Sequence, residues 1–273
     1  NASISNTTTA PIKVLDAKKV ILTLADNTTN TITDSSRLST EEDYSAAIYS
    51  KEDLIINGNG TLNVNAGYRN GIKSTDDCII VSGTLNITST EDGIIGKDLC
   101  GIVAGDININ AGSDGVKSTY DTDTTKGNVI IEGGNITIKA SNDGIQAENI
   151  LVINDGTINI KTNNGAADTT QTHIDNMDMG RGGFGFNNNK TTTTTDDTSE
   201  SRKGIKAGNM LIINDGDITI DSDDDSVHCN SVIYIYGGTI NAATGDDGVH
   251  ADDLLTVNGG TINITQCYEG LEA

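Results

Sequence analysis

The chain has 273 residues, with 39 acidic against 17 basic side chains and a formal net charge of −22 when histidine is neutral. That charge argues against nucleic acid or an anionic membrane surface as a partner, because both would repel it. No run approaches the roughly 20 apolar residues of a membrane span. Thirty-one glycines, one proline and no tryptophan, with abundant Asn, Thr and Asp, point to tight turns and not to long helices.

Taken in order, residues 1–12 are polar, rich in Thr and Asn, and read as a loose leader. The chain opens on Asn1 without methionine, which fits a mature segment of a secreted or cell-surface protein. Val14 to Leu24 and Thr31-Ile32-Thr33 read as strands that cap the first unit of a stacked repeat, whose bare end would be an open sheet edge. Residues 34–45 read as a polar loop. The expected organisation is therefore a leader with capping strands over 1–45 and a repeat domain over 46–273.

Within the repeat domain one phrase recurs. Gly71, Gly93 and Gly115 stand 22 residues apart, as do Gly204, Ser226, Gly248 and Gly270. Each unit holds three short segments of alternating apolar and polar residues, separated by Gly, Asn and Asp. One unit places Ile72, Ser74, Cys78, Ile80, Leu85 and Ile87 inward, and another Ile205, Ala207, Leu211, Ile213, Ile218 and Ile220. Three strands per turn of a 22-residue repeat describe an all-β right-handed parallel β-helix, a solenoid of stacked coils. Two insertions break the period: about seven residues near Tyr120–Lys126, and a long one over 165–203 that includes Phe184 and Phe186. Inserted loops of solenoids lie on one face and often carry function. Cys78, Cys100, Cys229 and Cys267 are too few for a disulfide framework and lack zinc-ligand spacing, so they read as small core residues.

Stacking at roughly 4.8 Å per coil turns equivalent outward residues into ladders. Before the turn glycine stand Asn70, Asp92, Asp114, Asp143, Lys203, Asp225, Asp247 and Glu269. Neighbouring carboxylates at that spacing need raised pKa values, basic partners or a shared cation. Calcium suits them, since it takes about six to eight oxygens in flexible geometry. The upstream candidates are Asp92, Asp114 and Asp143, completed by Asp121 and Asp123 of the first insertion. The downstream candidates are Asp223, Asp224, Asp225, Asp246, Asp247 and Glu269, with Lys203 dividing the two sets. The simpler alternative is that Asp-Gly only makes the turn and the charges stay solvated.

Two residues after the glycine runs a basic ladder of Lys73, Lys117, Lys206, His228 and His250. It either compensates the acids or contacts an acidic glycan, and in a calcium-dependent lyase Lys117 or Lys206 would be the base. A third ladder alternates Thr and Asn on the last strand. The middle strand faces outward with Ile79, Val81, Val103, Ile130, Val152, Ile212, Tyr234 and Tyr236. So long an apolar stripe calls either for cover by the leader or the 165–203 insertion, or for a ligand, with Tyr234 and Tyr236 as the natural sugar-stacking pair.

Asp246-Asp-Gly-Val-His-Ala-Asp-Asp-Leu-Leu-Thr-Val-Asn-Gly-Gly-Thr-Ile-Asn-Ile264 resembles the signature of a bacterial secreted carbohydrate-binding β-helix family, described as polysaccharide-lyase-like and cellulose-binding. The resemblance covers about residues 46–273 and is most specific over 204–273. It implies a calcium-containing parallel β-helix that binds plant cell-wall polysaccharide, namely cellulose and acidic polygalacturonate. It carries the acids of the Asp-Gly phrases over as calcium-ligand candidates. It places no catalytic lysine, because no unit of the basic ladder stands out, and shared fold alone does not make an enzyme. The expected function is therefore non-catalytic carbohydrate binding, with a calcium-dependent pectate lyase using a Lys base as the alternative. A third reading is an adhesion or surface-layer stalk rigidified by calcium.

Overall fold

A computed structural model describes residues 1–35, 44–167 and 201–273, which form 29 strands and one short 3₁₀ turn. The strands assemble into three parallel sheets, in each of which a strand pairs with its counterpart one coil further on. Sheet A has ten strands, ending at Thr261–Gln266; sheet B has ten, ending at Leu271–Glu272; sheet C has nine, ending at Leu254–Val257. The chain visits B, C and A in turn, giving the right-handed parallel β-helix expected from the 22-residue period.

Alternation fixes the register. Leu62, Leu85, Ile107, Ile136, Ile158, Ile218 and Ile240 stack along sheet A, and Ile72, Ile94, Val116, Ile145, Ile205, Val227 and Val249 along sheet B, all buried. A slip of one residue would turn a whole row toward water, at roughly 1.5–3 kcal/mol per exposed side chain. All twelve inward positions named above are buried.

The solenoid also includes the first residues. Strands β1 (Ser3–Asn6), β2 (Ile12–Val14), β3 (Val20–Leu24) and β4 (Thr29–Asp34) are in register with later coils: β1 on β4, β2 on Ala46–Ser50, β3 on Leu54–Gly58. Residues 1–12, read above as a loose leader, thus supply sheet edges. They do not cover sheet C.

Two kinds of glycine serve the coils. Those of the turn into sheet A, such as Gly83 (φ 112) and Gly105 (φ 120), occupy the left-handed region. Those of the Asp-Gly phrase answer a close approach. A Cβ on Gly93 would lie 2.5 Å from the Gly115 carbonyl oxygen and 2.5 Å from Ile109 Cγ2.

The seven-residue insertion bulges at the corner between sheets B and C, where Lys126 pairs with Asp98 and Asn149 donates to the Thr124 carbonyl at 2.6 Å. The long insertion leaves sheet A through the 3₁₀ turn Gly165–Ala167, which packs on sheet A, and returns at Ser201. Residues 168–200, with Phe184 and Phe186, lie outside the described residues. Cys78, Cys100 and Cys229 are buried, whereas Cys267 is exposed. Cys267 falls at the A–B turn, the phase occupied by Gly245 and Asp223 in earlier coils, and not at an inward strand position. Burial of the Cys100 thiol pushes its pKa up to about 12.

Candidate functional site

The acid ladder runs along the corner between sheets A and B, and its carboxylates are shared between backbone and cations. Oδ1 of one coil accepts the backbone N–H of the next. Asn70 accepts from Asp92 (3.1 Å), Asp92 from Asp114 (3.0 Å), Asp114 from Asp143 (3.0 Å) and Asp143 from Lys203 (2.7 Å). The chain of bonds resumes with Asp225 accepting from Asp247 and Asp247 from Glu269, both at 3.0 Å. The backbone N–H at each of these turns, which points back at the preceding coil, is thereby satisfied.

The second oxygen faces the basic ladder, because the residue three positions on stands on the outer face of sheet B. Lys117 Nζ lies 2.6 Å from Asp114 Oδ2, His228 Nδ1 2.8 Å from Asp225 Oδ2, and His250 Nδ1 3.4 Å from Asp247 Oδ2. Asp92 and Asp143 have Ile95 and Gln146 at that position; Asp143 draws instead on Lys206 Nζ at 3.8 Å. Lys203 sets its ammonium 2.7 Å from Asp224 and 3.0 Å from Asp225. With its backbone N–H on Asp143, Lys203 thus bonds to both halves of the ladder.

The pKa directions follow. Burial, then the charge of Asp114, raises the Asp92 carboxyl, and burial raises that of Asp143 against the pull of Lys206. Burial would raise Asp225 too, but the His228 hydrogen bond and the Lys203 charge outweigh it and hold it low. Burial would lower Lys117, but the contact with Asp114 outweighs it, so this amine is raised and stays protonated. Asp247 rises to about 6 through burial, a hydrogen bond with Glu272 and the charge of Asp225.

The structure does not bring Asp121 and Asp123 to Asp92, Asp114 and Asp143. The insertion that carries them sits at the far end of sheet B, about three strand residues, or ~10 Å, away. Asp123 Oδ1 accepts from Thr125 instead. Asp223 is fully buried against Arg202 (2.8 Å) and Asn163 (2.9 Å). His228 has both ring nitrogens engaged, by Asp225 and by Asn230 at 2.9 Å. Among the described residues, donor atoms come within metal-ligating range in Asp224–Asp225–Asp246 and in three further groups. One of these, Asp53–Asp76–Asp77 at the B–C corner, lies outside the Asp-Gly phrase and is not among the sequence candidates. The available signal was Asp76 and Asp98, 22 residues apart. Burial, a hydrogen bond with Asp98 and the charge of Asp53 raise Asp76 to about 6.

Sheet C presents the apolar stripe. Ile21, Ile55, Ile79, Gly101, Ile130, Val152, Ile212, Tyr234 and Thr256 are aligned in register across nine coils. Beside them Val103 is 43 % and Tyr236 51 % exposed. The rings of Tyr234 and Tyr236 are nearly parallel, 16° apart with centroids at 6.2 Å. On sheet A the Asn ladder is partly self-satisfied, Asn108 donating to Asn86 and Asn86 to Asn63.

A family described as "Carbohydrate-binding domain-containing protein" matches residues 1–248, and the chain belongs to it. A protein of that description from Acetivibrio thermocellus is 39 % identical over 89 residues, 31 % of each chain, so the match spans about a third of that relative. A solved structure of the polysaccharide lyase-like protein from C. thermocellum, as its gadolinium derivative, matches with a TM-score of 0.57 at 36 % identity. The match covers 59 % of this chain and 66 % of that one.

Proposed function

We propose that this chain is a non-catalytic carbohydrate-binding protein of the cell exterior, and that it holds plant cell-wall polysaccharide, cellulose above all, on the outer face of sheet C. The observation that carries the reading is the parallel pair Tyr234 and Tyr236 set in a flat apolar stripe. The apolar C–H face of a pyranose can lie against an aromatic face, and an exposed stripe of this length marks a binding surface. A neutral glucan meets no repulsion from a net charge of −22. Polygalacturonate does, and needs a bridging cation.

Calcium is part of the same proposal, with the all-oxygen groups Asp53–Asp76–Asp77 and Asp224–Asp225–Asp246 as its ligands. Lys203 neutralises part of the second group, which makes the first the stronger candidate. The lyase alternative draws little support from Lys117, whose amine is held in its charged form by Asp114. Binding isotherms on insoluble cellulose and on polygalacturonate, each with calcium and with chelator, test the reading. Saturable cellulose binding without release of soluble sugar is expected, and calcium-dependent unsaturated product from polygalacturonate would overturn the non-catalytic part.

A further inference from the structure

Two of the chain's three histidines lie side by side on sheet B, ring centroids 5.0 Å apart, and one of them stands in a setting unlike the rest of the acid ladder. We propose that Asp247, His250 and Glu272 form a binding site for a borderline divalent transition-metal ion, with zinc as the best fit. His250 Nδ1 lies 3.4 Å from Asp247 Oδ2 and 3.4 Å from Glu272 Oε2. These separations are long for hydrogen bonds. They equal the edge, ~3.4 Å, of a tetrahedron whose corners lie ~2.1 Å from its centre, the length of zinc bonds to imidazole nitrogen and carboxylate oxygen. Calcium and magnesium prefer all-oxygen sets, whereas an imidazole donor selects zinc and its neighbours.

The fold builds this arrangement. His250 and Glu272 are register partners on adjacent strands of sheet B. Asp247 sits in the turn before His250; its Oδ1 is held by the Glu269 N–H at 3.0 Å, its Oδ2 faces the imidazole, and its carboxyl also hydrogen-bonds that of Glu272, so the three side chains converge. On the other side of the ring, His250 Nε2 lies 3.4 Å from Asp252 Oδ1. A carboxylate beside the far nitrogen is the usual partner of a metal-bound histidine, and Asp252 stands where a small shift on metal binding would let it accept from Nε2–H and leave Nδ1 its lone pair. His228 differs in this respect: Asn230 takes its far nitrogen and Asp225 its near one. Three protein ligands leave one tetrahedral position open to water or to a carboxylate of an acidic ligand.

The test is titration of the full chain with zinc, and with cobalt as a spectroscopic reporter, at neutral pH. One equivalent should bind and give the visible absorption of tetrahedral cobalt. His250→Ala and Glu272→Gln should each weaken binding by at least about tenfold, since even changes outside the ligand shell cost that much. Glu272 pairs in register with the outward-facing His250 and not with the buried Val249, so its substitution leaves the core intact. Asp76→Asn, at the separate all-oxygen group, should leave zinc affinity unchanged, and excess calcium should not displace the metal. Absence of zinc binding, affinity unchanged in His250→Ala, or displacement by calcium would overturn the proposal. Cellulose binding on sheet C stands or falls separately.

Discussion

Ser226 and Ala242 replace each other's usual partners. Seven coils place glycine at the Asp-Gly turn, and against six of these sheet A places Ile87, Ile109, Ile138, Ile160, Ile220 and Ile264. The Cγ2 of five of these isoleucines, like the Cδ1 of Ile264, would lie 2.3–2.5 Å from a Cβ at that turn. Two described coils carry a Cβ there: Ala47, whose coil has the smaller Val64 at the isoleucine position, and Ser226, whose coil has the still smaller Ala242, all four residues buried. Ala242→Ile should therefore destabilise the fold by about 1–3 kcal/mol through overpacking. Adding Ser226→Gly should recover most of the loss. Denaturant unfolding of the two single variants and the double variant gives the coupling, and additive losses would contradict it.

Asp114 holds the Asp143 N–H with one oxygen and Lys117 with the other. Asp114→Ala leaves both donors without that partner and should cost about 2 kcal/mol, the usual scale for hydrogen bonds to a charged group. Asp114→Asn keeps the backbone acceptor and should cost less. Urea midpoints at pH 7 for the two variants distinguish a ladder that supports the fold from a solvated row of charges, for which both variants would match the wild type.

Asp92 has no cation three residues on, since that place is Ile95. Its pKa is raised by burial and by Asp114, so the folded state favours the protonated form. The stability this contributes is full below the ordinary value of 3.8 and is lost as pH rises through the higher folded value. Asp92→Asn keeps the oxygen that accepts from Asp114 and removes the charge. It should melt above the wild type at pH 7, with the gap closing toward pH 4. A pH-independent difference would show that the charge is not the cause.

The coil architecture was legible because it rests on two local rules, an alternation of two and a period of 22, which fix the faces of Ile205, Leu211 and Ile218 without tertiary information. The stacked acids were legible for the same reason. What they bond to was not. The Oδ1 contacts run to backbone N–H groups, and backbone direction leaves no mark on residue type. The separation of Asp123 from Asp114 depends on which corner the insertion leaves from, and a repeat count locates an insertion only to within a few residues. Glu272 stands 22 residues after His250, so its place in the same ladder was legible too, but the convergence of both side chains on Asp247 was not.

Calcium binding to Asp53–Asp76–Asp77 should raise the melting temperature, because a ligand selective for the folded state at about 100 times its Kd adds about 2.7 kcal/mol. For a chain of this size that is on the order of 5–10 °C. Asp76→Asn should remove much of the rise. Differential scanning calorimetry with calcium and with chelator reads this directly, and identical curves would retire calcium from the proposal.

The central claim is that sheet C binds polysaccharide through Tyr234 and Tyr236, and depletion binding to insoluble cellulose with the Tyr234→Ala/Tyr236→Ala double variant tests it most directly. Each aromatic stack is worth about 0.5–1.5 kcal/mol, so losing both should weaken binding by roughly five- to a hundredfold with the fold unchanged by circular dichroism. Wild-type affinity in the double variant would contradict the claim.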